Sequence, residues 1–277
     1  MKITYKNSLV DNPGVKIVEI RVNAPDIAEK SMPGQFVVLM ADKKGERLPL
    51  TIVKADRKSK EITLIFQEAG FSTALLGKMN VGDSLYALVG PLGHPTPIKC
   101  YGKVILVGGG VGIAEILPVA ASLKREGNHI TSILGARSKD MLILEEELKK
   151  ASDEFYITTD DGSYGKKGFV TDILRQLLAQ DKYNMVYAVG PIAMMKNVCA
   201  VTGEFAVKTL VSLNALMVDG TGMCGCCRVT IGGKLKFTCV DGPDFDGSIV
   251  DWSELEKRNR IYQCQEKHLC KLDRSVK

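Results

Sequence analysis

The sequence predicts a β + α/β architecture in three parts: an antiparallel β-barrel over residues 1–98, a parallel, helix-covered sheet over residues 99–211, and a small cysteine-rich domain ending in a helix over residues 212–277. Three observations carry that expectation. The first hundred residues hold short β-rich runs separated by turn signals, the pattern of an antiparallel barrel. After the proline-rich PLGHPTP of residues 91–97 the pattern changes to strand, glycines and helix, which reads as a linker into a parallel-sheet domain. Finally, four of the eight cysteines crowd into residues 224–239, inside the Gly-rich MVDGTGMCGCCRVTIGGKLKFTC. A chain of 277 residues accommodates this subdivision, because single cores stop growing at roughly 250 residues.

The elements follow in order. In the barrel, runs at 15–22, 35–40, 61–66 and 84–89 read as strands, bounded by PG, KKGE and VGD turns. The second part opens with a strand at 103–107 and an apolar helix at 113–126. Strands at 130–134, 155–159 and 185–189 then alternate with helices near 142–150, 170–180 and 193–202. Such alternation argues for a parallel sheet covered by helices. Residues 252–277 read as a charged terminal helix. Cys100 and Cys199 read as core, and Cys264 and Cys270, six apart, as plain surface or interface thiols.

Composition excludes several classes. With 45% hydrophobic and 25% charged residues the chain is an ordinary globular protein, and no window approaches the roughly 18 continuous apolar residues of a membrane span. Residues 1–10, MKITYKNSLV, lack the apolar core of a secretory signal, so a reducing cytoplasm is expected, where clustered cysteines mean metal or redox work rather than disulfides. The net charge of +5 is mild and spread out, so no nucleic-acid partner is expected, while an acidic protein partner stays open. His94, His129 and His268 are scattered, suggesting neither a His-based metal site nor a hydrolase triad.

The glycines of KVILVGGGVGIAEILPVAASL, namely Gly108, Gly109, Gly110 and Gly112 around Val111, lie between an apolar strand and a helix. Bare backbone there can approach a pyrophosphate, and the helix N-terminus supplies positive potential. The third glycine of the usual dinucleotide fingerprint is missing, since Ile113 stands in its place. No acid ends the strand at 130–134 to bind a ribose, so a tight turn without ligand remains the alternative. A second strand-to-helix turn, Gly190, Pro191 and onward to Met194, falls on the same sheet edge; a Pro at a helix start explains it equally well. In the barrel, Arg47 of RLPLT could grip a phosphate while Thr51 points at a ring nitrogen, or Arg47 is simply a solvated surface residue beside Pro49. Gly70, Ser72 and Thr73 offer a second anion site, or a helix cap.

Taken in order, the R-x-P-x-T of residues 47–51, the G-x-S-T of residues 70–73, the GGGVG of residues 108–112 and the VGP-x-x-M of residues 189–194 resemble the ferredoxin-NADP reductase superfamily. The added VDGTGMCG…CVDGP segment makes the chain similar, more narrowly, to the electron-transfer subunit of dihydroorotate dehydrogenase and to the small subunit of NADH-dependent ferredoxin:NADP oxidoreductase, also described as sulfide dehydrogenase. The resemblance spans essentially residues 1–260. It implies an FAD-binding barrel, a domain for NAD(H) and a 2Fe-2S cluster. It places Arg47 on the FAD phosphates, Thr51 near the isoalloxazine as the candidate catalytic residue, and Gly70, Ser72 and Thr73 on the pyrophosphate. Pro49 and Leu50 would line the flavin, although many relatives carry an aromatic residue where Leu50 stands. Gly108, Gly109, Gly110, Val111, Gly112, Gly190, Pro191 and Met194 would hold the nicotinamide nucleotide, with Asp160 nearby. The choice between NADH and NADPH stays open, because Arg137 could meet a 2'-phosphate.

The dihydroorotate dehydrogenase subunit holds its cluster through C-x4-C-x2-C and a more distant fourth Cys. The same register here gives Asp219, Cys224, Cys227 and Cys239, so Asp219 falls where the first thiolate is expected. Its rivals are Cys226, cramped between Cys224 and Cys227, and a remote Cys. A structural zinc is the alternative metal, but zinc sites favour paired C-x2-C knuckles and Cys239 has no such partner. The resemblance implies a subunit that passes electrons between NAD(H), FAD and the cluster to a larger flavin and iron-sulfur subunit, with ferredoxin reached through the complex and electron bifurcation there among the expectations. The alternatives are the dihydroorotate dehydrogenase partner and a non-catalytic metal-bound scaffold.

Overall fold

The protein is described by a computed structural model over residues 1–43, 45–262 and 265. In the N-terminal part, strands β1 (Ile3–Asn12), β2 (Val15–Asn23), β3 (Phe36–Met40), β4 (Leu48–Asp56), β5 (Glu61–Gln67) and β6 (Ala87–Leu92) form an antiparallel sheet in the order β1-β2-β5-β4-β3-β6. Helices α1 (Pro25–Lys30) and α2 (Phe71–Lys78) fall between strands. Alternation turns Val18, Ile20, Val37, Leu39, Ile62 and Leu64 into a buried interior. The sheet curls until its edges meet: the Ile3 amide donates to the Asp83 carbonyl, and Lys2 bridges Ser84. That contact is why the last strand begins at Ala87 and not at residue 84 as the sequence suggested. The sequence pattern also passed over β1, in whose ITYKNSLVDN only Ile3 and Val10 are buried.

The second part alternates strand and helix: β7 (Lys103–Gly109), α3 (Gly112–Arg125), β8 (His129–Ala136), α4 (Glu145–Ala151), β9 (Glu154–Thr159), β10 (Lys166–Lys167), α5 (Val170–Gln180), β11 (Met185–Val189), α6 (Ile192–Glu204) and β12 (Thr209–Ser212). These strands run parallel in the order β10-β9-β8-β7-β11-β12. Central β7 is covered on both sides. Val104 and Leu106 pack with α3 and α4, whereas Ile105 and Val107 pack with α5 and α6. Such double coverage is why its sequence is a continuous apolar run rather than an alternating one.

The remaining chain forms β13 (Arg228–Ile231), β14 (Lys234–Phe237), α7 (Thr238–Asp241), β15 (Asp244–Asp246) and α8 (Trp252–Arg258). The β13–β14 hairpin turns at Gly232 and Gly233, both at positive φ (56° and 75°), the backbone a two-residue hairpin loop of this hand requires. Strand β15 adds antiparallel to β12, extending the nucleotide-domain sheet. One apolar cluster accordingly runs from Phe36 and Val38 of the barrel through Ile105 and Ala188 to Cys227, Val229 and Phe245.

Two expectations are corrected. Helix α8 stops at Arg258 and the chain turns through residues 259–262; Cys264, Cys270, His268 and the rest of the expected helix lie outside the described residues. Cys100 is exposed in the loop before β7 rather than core, and Cys199 is half-buried, with burial pushing its thiol up to about 12. Among the described residues no helix is long and apolar enough to cross a membrane.

Candidate functional site

Two cavities meet at the edge of the sheet where β7 and β11 end. The first, about 580 Å³, lies between barrel and sheet domain and is lined by Pro49, Leu50, Thr51 and Thr73 on one side and by Gly109, Gly110, Val111, Gly112, Gly190 and Pro191 on the other. Leu213, Met217 and Pro243 add to the wall. The second, about 400 Å³, is lined by Gly110, Gly135, Arg137, Thr158, Asp160, Phe169, Met194 and Asn197. Both fall in the size range of small-molecule and cofactor sites, roughly 300–1,000 Å³. They share Gln67, Gly109, Gly110 and Pro191, so an occupant of one abuts an occupant of the other.

The glycines divide by task. A Cβ on Gly112 would lie 2.6 Å from the Val189 carbonyl oxygen, and one on Gly109 would lie 2.4 Å from Met194 Sδ. These two let α3 and α6 close on the strand ends. Gly108 packs under Ile116 and lines neither cavity. Gly110 differs: its φ is +57° and nothing lies within 4 Å of where a Cβ would be. Open space above left-handed, side-chain-free backbone at a helix start leaves room for a phosphate.

The barrel residues spread more than their motif suggests. Thr51 lines the first cavity and donates through Oγ1 to Glu115 Oε2 at 3.1 Å. Arg47 is exposed on the loop before β4 and is not among the lining residues. Gly70 and Ser72 also lie off the wall, and Ser72 Oγ donates to Glu46 Oε2 at 2.6 Å. Thr73 borders the cavity while capping α2: its hydroxyl donates to the Gly70 carbonyl and accepts from the Gly70 and Ala69 amides, each at 3.0 Å.

Sequence reasoning missed Glu115, which lines the first cavity. Its signal was an acid between the buried Ala114 and Ile116 on an otherwise apolar helix start. Burial raises its carboxyl above the usual range, against hydrogen bonds from Ser212 and Thr51. Gln67, Phe169 and Asn197 were missed too, because nothing marks them locally.

The cysteine loop winds through Gly220, Gly222 and Gly225 at φ of +77°, +85° and +66°. Cys227 and Cys239 are buried with sulfurs 3.2 Å apart, and Thr238 at the head of α7 ties its amide and hydroxyl to the Cys227 carbonyl at 3.1 and 2.9 Å. Burial, then the Cys227 sulfur, pushes the Cys239 thiol up to about 12. Cys224 is exposed, and Cys226 is half-buried with its amide 3.5 Å from Cys224 Sγ. Asp219 accepts from the Thr221 amide at 2.6 Å and the Cys224 amide at 2.9 Å; the first of these holds its carboxyl below the usual range. As placed, no three His, Cys, Asp or Glu side chains among the described residues converge on one point. The donor chemistry fits iron nonetheless, with the four thiols of Cys224, Cys226, Cys227 and Cys239 and the Asp219 carboxylate on one glycine-rich loop and its helix.

A barrel facing a doubly covered parallel sheet across a cavity, with a thiol-rich unit stitched onto the sheet, defines a flavin- and nicotinamide-dependent electron-transfer oxidoreductase. Residues 106–200 match the oxidoreductase NAD-binding domain, and residues 214–251 match the iron-sulfur cluster binding domain of dihydroorotate dehydrogenase B. A Thermotoga maritima homolog of the dihydroorotate dehydrogenase B electron transfer subunit is 49% identical over 91% of this chain and 89% of its own. The Geobacillus sp. electron transfer subunit of that enzyme is 33% identical over 84% and 92%. The chain belongs to the family of dihydroorotate dehydrogenase B electron transfer subunits. A chain of the NADH-dependent reduced ferredoxin-NADP oxidoreductase, studied for flavin-based electron bifurcation, superposes with a TM-score of 0.93 at 42% identity, covering 100% of this chain and 98% of that one. An Amycolatopsis cytochrome P450 reductase shares the fold at 20% identity and a TM-score of 0.62, over 74% and 65%. The protein is thus an oxidoreductase subunit for electron transfer that uses NAD(H), a flavin and an iron-sulfur cluster.

Proposed function

We propose that this chain is the NADH-oxidising small subunit of an NADH-dependent ferredoxin:NADP oxidoreductase, working in the cytoplasm with a larger flavin and iron-sulfur subunit through which ferredoxin is reached. The observation that carries it is the shared wall of the two cavities at Gly109, Gly110 and Pro191. A nicotinamide nucleotide in the second cavity and FAD in the first would meet there. When bound, FAD would supply the exchange between hydride and single-electron transfer, and a 2Fe-2S cluster would supply one-electron carriage. The protein's part is to orient. Gly110 and the α3 N-terminus receive phosphate, Leu50 and Thr51 border the flavin ring, and Met194, Asp160 and Arg137 bound the nucleotide. Arg47, Gly70 and Ser72 would reach the FAD phosphates from outside the wall, the arginine by swinging over from its exposed loop.

Asp219, Cys224, Cys227 and Cys239 are the proposed cluster ligands. For Asp219 this means exchanging two amide hydrogen bonds for iron. The alternative partner, a dihydroorotate dehydrogenase, is favoured by the names of the relatives but not by Asp219, which stands where that subunit's register has a thiolate. Copurification from the native source decides: the larger subunit is either a flavin and iron-sulfur protein reducing NADP or a dihydroorotate dehydrogenase. The site reading itself is tested on the purified chain, which should show a flavin spectrum and an NADH-reducible iron-sulfur EPR signal; absence of both overturns it.

A further inference from the structure

Glu115 is an acid where the cavity wall has no evident need of charge. It lies in the first turn of α3, receives hydrogen bonds from Thr51 Oγ1 and Ser212 Oγ, and lines the first cavity. Ser212 is the cross-strand partner of Asp244 in the β12–β15 pair, so the two acids flank one serine, whose hydroxyl proton goes to Glu115. Asp244 accepts from Thr96 Oγ1 at 2.6 Å and from the Tyr187 hydroxyl at 3.1 Å. Both acids keep some exposed surface, yet they sit deep enough that burial dominates their titration.

The groups facing the pair come from every neighbouring element: Thr51 from β4, Ser212 from β12, Tyr187 from β11, Thr96 from the loop before β7, and Tyr101 at longer range. All are neutral at pH 7. Among the described residues neither acid forms an ion pair, and burial first, with the Glu115 charge behind it, pushes Asp244 up to about 7. Two buried carboxyls that flank one serine in a low-dielectric interior raise the cost of ionising both.

We propose that Glu115 and Asp244, on either side of Ser212, form a proton-holding pair that takes up one proton from solvent when the cofactor in the adjoining cavity gains negative charge. The inference rests on the flavin reading of that cavity. The balance is simple. A hydride leaves the nicotinamide with two electrons and one proton, the flavin becomes more negative by one charge, and one solvent proton binds the pair. As the two electrons leave singly for the cluster, the flavin gives up the proton that came with the hydride and the pair returns its own, both to solvent. Thr51, which touches both the cavity and Glu115, is the positioning contact between them.

The test is redox-difference infrared spectroscopy on the full chain with FAD bound, reduced by NADH in H2O and in D2O. Reduction should add a protonated-carboxyl C=O band that shifts in D2O and is lost in Glu115→Gln and in Asp244→Asn. A pH indicator in weakly buffered solution should register about one proton fewer per flavin reduced in the double variant. The FAD-free chain supplies a readout independent of turnover: its infrared carboxyl band should titrate near neutral pH in the wild type and vanish in the double variant. FAD that binds and is reduced with no change in the carboxyl band overturns the pair alone, as does a band that survives in both single variants. A wild-type chain that binds no FAD overturns the site reading and the pair with it.

Discussion

At the scale of single residues, Asp219 shows how far spacing can carry chemistry. The register of the cysteine segment marked it from the sequence alone, but the register could not say that both its oxygens would already be engaged by loop amides. If it ligates iron, Asp219→Cys should alter the visible and EPR signatures of the cluster, because a thiolate donates more charge than a carboxylate. An identical spectrum removes Asp219 from the ligand set. Thr51 makes a second case. Its motif pointed to the flavin ring, whereas its bond to Glu115 depends on a residue 64 positions away that no local pattern connects to it. Thr51→Val keeps the shape and removes the hydroxyl. It should slow flavin reduction by NADH about tenfold, near 1.4 kcal/mol of barrier, with the NADH concentration dependence unchanged; stopped-flow traces following flavin bleaching read both.

At the scale of elements, the turn from β7 into α3 was legible because its glycines answer to steric rules that operate locally. Which glycine does what was not legible, since that depends on β11 and α6, which lie some eighty residues further along. The division yields opposite outcomes for neighbouring substitutions. Gly112→Ala drives a methyl toward the Val189 carbonyl, and overpacking of this kind typically costs about 1–3 kcal/mol, so urea unfolding should shift to lower concentration. Gly110→Ala meets open space, with only about 1 kcal/mol of left-handed backbone strain. Its main effect should be on ligand, with FAD or NADH affinity falling more than stability does; calorimetric titration beside the unfolding curve separates the two. The pairing of β12 with β15 was invisible in the sequence for the opposite reason. Three residues of DFD carry too little pattern to announce a strand, and their partner is set by long-range packing of Phe245.

At the scale of the whole molecule, the three sequence segments share one interior, and the acid that bridges them makes folding sensitive to pH. Asp244 is raised from 3.8 to about 7, chiefly by burial. Between those values the folded chain holds a proton that the unfolded chain has lost, so the slope of stability with pH is negative across that window. The contribution is complete below pH 4 and is gone once pH passes 7. A shift of this size amounts to roughly 4 kcal/mol at the extremes. Surface carboxylates such as Asp153 and Asp181, held below their usual range, act in the reverse sense and only under more acidic conditions, so the raw stability curve mixes the two. The difference between wild type and Asp244→Asn isolates this carboxyl, because asparagine keeps the shape and one of the two acceptor oxygens that Thr96 and Tyr187 use, but cannot titrate. Unfolding midpoints measured at pH 5 and pH 8 should draw apart for the wild type by more than for the variant. Equal shifts in both would mean that water reaches Asp244 in the folded state and that its raised titration does not govern stability.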